Sequence, residues 1–104
     1  MECLYGSDLA LAEPGGAPVT ADELFELGMM YASGRSVSID LGIAHKWFNI
    51  AAMKGHAEAA QLRREVAAEM ADAEIGLAQR AARDWLKANP ERVVPVMPRL
   101  RAAA

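Results

Sequence analysis

His45 and His56 are the residues whose side chains could most readily ligate a metal or carry a proton. They stand eleven residues apart, a spacing that puts them at opposite ends of one helix, and they read as solvated helix residues with no metal. Cys3 is the single cysteine, so the chain has no internal disulfide and no cysteine metal cluster. Ser33, Ser36 and Ser38 share one loop but lack the strand-turn-helix setting of an activated serine. Asp72, Glu74 and Asp84 read as capping and solvation residues, not as a catalytic carboxylate pair. The glycine-rich stretches match neither a phosphate-binding loop nor a dinucleotide fingerprint. The reading is a chain with no catalytic residues, no metal and no cofactor, and hence not an enzyme.

What remains is the pattern that would position a binding surface. Leu24, Leu27, Gly28 and Tyr31 fall at i, i+3, i+4 and i+7, one face of a helix. Ala44, Trp47, Phe48, Ala51, Ala52 and Gly55 repeat that spacing over a second helix. Thr20 caps the first helix, and Glu23 completes a capping box. Gly34 ends it in the left-handed region. Asp40 caps the second helix, and Gly55 stops it. Glycine inside a helix costs roughly 1 kcal/mol relative to alanine. Gly28 is therefore read as a notch that lets the neighbouring helix approach, under the Trp47 ring. The unit is an antiparallel helical hairpin.

A second unit follows. Ala59, Leu62, Val66 and Met70 give a third stripe, with Arg63, Arg64, Glu65 and Glu69 as solvated residues. Asp72 is read as the cap of a fourth helix, and Glu74 sits in its first turn, where the helix dipole favours a carboxylate. Ile75, Ala78, Ala82 and Trp85 form that helix's buried stripe, with Leu86 alongside. Asn89-Pro90 ends it, because a residue before proline is pushed out of the α region. The segment from Arg92 to Pro98 is apolar but broken by prolines, and it reads as an extended tail rather than a central strand.

Between Leu27 and Gly55 the chain resembles the Sel1-like repeat family, a relative of the tetratricopeptide repeats. The family pattern runs Leu-Gly-x-x-Tyr, then Gly-x-Gly-Val-x-x-Asp, then Lys-Ala-x-x-Trp-Phe/Tyr-x-x-Ala-Ala-x-x-Gly. Leu27, Gly28, Tyr31, Gly34, Val37, Asp40, Ala44, Trp47, Phe48, Ala51, Ala52 and Gly55 match it in one register. Three positions depart: Ser36 replaces the second loop glycine, Ile43 the lysine and Glu23 an early alanine. Ser36 implies a slightly different loop conformation. The second unit lacks the signature, as expected of a closing repeat whose outer face meets water.

The resemblance implies an all-α fold of two antiparallel helical hairpins, a short Sel1/TPR-like α/α solenoid. The expected organisation is a leader over residues 1–19, a repeat domain over 20–89 and a proline-rich tail over 90–104. Two hairpins bury a modest core, and repeat arrays need about three units before stacking offsets ordering entropy. A docked N-terminal segment or another chain would supply the missing neighbour, so self-association or an obligate partner stands beside a stable monomer. In a two-layer repeat the first helices line the concave face. Phe25 and Met29 then face a groove, Met30 lies on the far side of the stripe, and Arg64 and Ala68 come from the third helix. These five are the expected partner-binding residues, although the leader or a second copy of the chain would cover the same face equally well.

The implied function is a small adaptor that binds a protein or peptide; the alternative is an accessory or regulatory subunit docking on one enzyme. The single cysteine fits a reducing compartment, and the segment before Thr20 has neither the positive start nor the apolar run of a signal peptide, so a cytoplasmic location is expected. No span is long and apolar enough for a membrane. The net charge of −3 and pI of about 5.3 have the wrong sign for nucleic acid. Arg92, Arg99 and Arg101 are the local exception, read as a solvated tail.

Overall fold

The computed structural model describes residues 19–90 and 92–95. The described chain is all-α apart from one two-residue pairing. Its order is β1 (Val19–Thr20), α1 (Ala21–Ser33), α2 (Leu41–Met53), α3 (Ala57–Ala67), α4 (Asp72–Ala88) and β2 (Val93–Val94). The helices form two consecutive helix-turn-helix hairpins.

Each boundary has a local cause. Thr20 Oγ1 accepts from the Glu23 amide at 3.0 Å, and the Thr20 amide donates to Glu23 Oε1 at 2.9 Å. This reciprocal box satisfies two backbone amides at the start of α1. Gly34 ends α1 at φ 77°, with its amide donating to the Met30 carbonyl at 2.8 Å. Asp40 Oδ1 accepts from the Ile43 amide at 3.0 Å and starts α2. At the far end of α2, the Gly55 amide reaches the Ala52 carbonyl and the His56 amide reaches the Ala51 carbonyl, both at 3.0 Å. That is the paired bonding of a Schellman cap.

One local expectation is corrected. The residue preceding α4 is Ala71, not Asp72, and the Glu74 carboxylate accepts from the Ala71 amide at 2.9 Å. Asp72 is the first helical residue, where its charge still meets the helix dipole. Ser36 takes a left-handed φ of 68° in the loop between α1 and α2.

Helix α2 is the hub. Ile43, Ala44, His45, Lys46, Trp47, Phe48, Ile50 and Ala51 are all buried, and α1, α3 and α4 each pack on it. A helix buried on every side belongs to a core rather than to an amphipathic surface layer. Trp47 is fully buried and meets Trp85 of α4 edge to face, with centroids 5.4 Å apart and planes at 83°. Such a pair contributes about 0.5–1.5 kcal/mol beyond the area it buries. Arg63 of α3 donates to Asn49 Oδ1 of α2 at 2.7 Å, so Arg63 is tied down rather than solvated.

The notch at Gly28 is filled by Phe48, not by Trp47. A β-carbon at Gly28 would lie 2.5 Å from Cδ1 and Cε1 of the Phe48 ring. The spacing of Trp47 and Phe48 places both on the inner face; only the handedness of packing decides which ring meets α1, and Trp47 turns toward α4.

The segment after α4 returns to the body. Asn89 Nδ2 donates to the Trp85 carbonyl at 2.9 Å, and Arg92 Nη1 donates to Asn89 Oδ1 at 2.9 Å. The Arg92 guanidinium lies 5.5 Å from the Trp85 ring centroid. Val93 and Val94 then pair in parallel with Val19 and Thr20, and the Val19 amide donates to the Arg92 carbonyl at 2.9 Å. Val19 and Val93 both join the buried core. The ordered unit therefore reaches beyond 20–89 at both ends. The reading of Arg92 as part of a solvated tail is corrected, while Arg99 and Arg101 lie outside the described residues.

Two measurements follow from this packing. Trp47→Ala is expected to cost about 3–5 kcal/mol, a large share of a typical stability of about 5–15 kcal/mol; an unchanged thermal melt would refute the core assignment. Gly28→Ala gains about 1 kcal/mol in helix propensity, but forcing its β-carbon against Phe48 costs about 1–3 kcal/mol. Its melting temperature is expected to fall. At Gly76 an added β-carbon would meet no atom within 4 Å, so Gly76→Ala should raise the melting temperature. A melting temperature that rises for Gly28→Ala as it does for Gly76→Ala would contradict the notch.

Candidate functional site

The seam between α1 and α3, lying over α2, leaves an open cavity of about 240 Å³. Met29 and Ala32 of α1 form one wall, and Leu62 and Val66 of α3 form the other. Phe48 of α2 makes the floor and Leu41 closes one end. The same Phe48 ring lies against α1 at Gly28. Phe48 and Val66 are buried, whereas Met29, Leu41 and Leu62 are half-buried.

The polar rim is acidic. Glu65 in the last turn of α3 and Glu69 in the turn that follows the helix line one edge, and both are exposed. Glu65 Oε2 accepts from Gln61 Nε2 at a long 3.4 Å. Ser33 on the opposite side donates its hydroxyl to the Met29 carbonyl at 2.8 Å. Among the described residues, no lysine, arginine or histidine lines the cavity.

Of the five expected partner-binding residues, only Met29 lines this groove. Phe25 is half-buried against the core. Its ring is 5.8 Å from Phe48 and stacks on the His56 imidazole at 4.2 Å with planes 14° apart. Phe25 therefore serves internal packing, because the chain turns His56 back over α1 at the α2–α3 junction, a contact no helical periodicity encodes. Met30 is half-buried outside the groove lining. Arg64 and Ala68 are both exposed, and neither lines the groove; α3 is rotated so that Leu62, Glu65 and Val66 face the seam, with Glu69 of the following turn beside them. The stripe Leu62–Val66 is legible in the sequence, and its flanking glutamates at i+3 and i+7 from Leu62 are the signal that the periodicity argument passes over.

The repeat-motif residues are structural. Gly28, Ala44, Trp47, Ala51 and Trp85 are buried, and Leu27 and Tyr31 pack against the core. Gly34, Asp40 and Gly55 sit at helix ends. Cys3 and the rest of the leader before Val19 lie outside the described residues.

Both histidines belong to the fold instead of to solvent. His56 Nδ1 accepts from the Ala59 amide at 3.1 Å and caps α3. Its Nε2 lies 3.3 Å from Asp22 Oδ1 of α1. An accepting Nδ1 leaves the imidazole proton on Nε2, facing that carboxylate. His45 is buried, and its Nδ1 has no hydrogen-bond partner among the described residues. Next to it, buried Lys46 places its ammonium 4.1 Å from the Trp47 ring centroid, a cation–π arrangement. Among the described residues, no group of three or more His, Cys, Asp or Glu side chains converges on a point that could hold a metal.

Burial, and secondarily the positive charge of Arg63, lower the His45 pKa below the usual imidazole value of 6.5. Protonation is thus disfavoured in the folded chain relative to the unfolded one. The associated stability is fully present above about pH 6.5 and declines as pH falls below it. The wild type is expected to lose melting temperature from about pH 7 to about pH 5 more steeply than His45→Gln; parallel pH profiles would contradict the assignment.

Among known proteins, no family model, no curated sequence and no solved structure matches this chain.

Proposed function

We propose that the chain is a small protein–protein interaction module, a Sel1-like adaptor that holds a protein or peptide in the groove between α1 and α3. The observation that supports this reading is the groove itself: an apolar floor and walls, open to solvent, set on rigid helices. Concave apolar sites built between packed helices are common places for a partner side chain to insert. The twelve matched positions of the repeat pattern favour the same reading, since α/α repeats work by presenting such surfaces. Fold alone does not fix function, so the weight rests on the groove. Among the described residues no helix is long and apolar enough to cross a membrane, and the acidic rim together with the net charge of −3 disfavours a polyphosphate ligand.

Met29 is the residue to test, because it lines the groove and its side chain takes no part in a helix cap. Met29→Gln is expected to keep the circular-dichroism spectrum of the wild type and to lose a partner that wild-type protein retains in affinity capture. Retention of every partner by a folded Met29→Gln variant would count against the groove. Phe25→Glu is the wrong probe, since removing the ring that stacks on His56 disturbs the fold itself; it is expected to lower the melting temperature, and an unchanged melt would show that the stack carries no stability.

A further inference from the structure

The groove's shape and charge narrow what it takes. We infer that its occupant is a cationic amphipathic helix of a different protein, which inserts one medium-sized apolar side chain over Phe48 and sets lysine or arginine against Glu65 and Glu69. This inference rests on the groove being the binding site.

Three observations carry it. The first is size. A cavity of about 240 Å³ lies below the range of about 300–1,000 Å³ usual for small-molecule sites. It accepts a single anchor side chain rather than a cofactor or a row of side chains.

The second is backbone chemistry. The walls of the groove come from α1 and α3, whose internal amides and carbonyls are paired within their own helices. They offer no open row of donors and acceptors to which a strand could add. Recognition must therefore run through side chains. An amphipathic helix presents an apolar anchor flanked by polar residues one turn away on the same face.

The third is charge. Glu65 in the last turn of α3 and Glu69 in the turn after it both line the cavity, and among the described residues no cationic side chain lines it to neutralise them. Gln61 is the neighbour that bonds Glu65, and it carries no charge. A helix with cations one turn to either side of its apolar anchor complements those two carboxylates. An acidic helix would add like charges to the same edge, which disfavours it by the same logic.

The probes are synthetic stapled helices of about 15 residues, long enough to hold helical structure once stapled. Each has one central leucine and, four residues to either side, arginine, glutamine or glutamate; a fourth probe keeps the arginines and replaces the leucine with alanine. Fluorescence anisotropy with the full chain is expected to rank them arginine, glutamine, glutamate, with about a tenfold gap between the first two at low salt, given the modest strength of exposed ion pairs. The gap should shrink as salt screens the charges. Glu65→Gln/Glu69→Gln, exposed changes that leave the groove floor alone, should abolish the ranking and keep leucine-dependent binding.

Leucine-dependent binding with no arginine preference would overturn the inference and leave the groove reading standing. Absence of leucine-dependent binding by any probe would overturn both. Sedimentation of the chain alone supplies the remaining control: self-association lost in Glu65→Gln/Glu69→Gln would name a second copy as the occupant and overturn the inference.

Discussion

The arrangement of the helices depends on one close approach. Where Gly28 faces α2, the Phe48 ring lies so near the α1 backbone that even a methyl group would collide with it. Glycine gives up helix propensity there, roughly 1 kcal/mol, and α1 packs tightly on α2 as a result. That contact has two consequences. It lets α2 be buried on all sides, with Trp47 free to turn toward Trp85 on α4. It also lays Phe48 down as the floor of the α1–α3 seam. Core packing and candidate site thus share one aromatic ring.

The edges of the unit are held by smaller devices that reinforce the same geometry. The capping box at Thr20, the αL cap at Gly34, the Asp40 cap and the paired bonds after Ala52 fix where each helix starts and stops. The parallel pairing of Val19–Thr20 with Val93–Val94 then brings the two ends of the described chain together. Two hairpins make a small core, and this clasp adds two buried valines to it. His56 joins α1 to the start of α3 through its cap, its stack on Phe25 and its approach to Asp22. The α1–α3 seam is therefore braced at one end and open further along.

Much of the fold is legible in the sequence because local chemistry writes it. Periodicity marks all four helices, and Thr20, Gly34, Asp40 and Gly55 mark the ends of α1 and α2 by means that act within a few residues. What is not legible is long-range. Whether Trp47 or Phe48 fills the Gly28 notch depends on the packing rotation between α1 and α2. Phe25 has the spacing of a groove residue, yet it is covered by His56, thirty-one positions later in the sequence. The strand pairing is hidden because a two-residue ladder has no alternating pattern, and the prolines nearby argue against one. For the site, the stripe of the third helix is plain but its rotation is not, so periodicity points to Arg64 and Ala68 where Glu65 and Glu69 stand. That difference reverses the charge of the rim.

The Phe48 ring sits in the notch at Gly28, and nuclear magnetic resonance reads that contact directly. The expected result is cross-relaxation between the Gly28 α-protons and the Phe48 ring protons, with the glycine resonances shifted by the ring current. Gly28 α-protons at ordinary helical shifts, with cross-peaks to the Trp47 indole or to no aromatic ring, would contradict it.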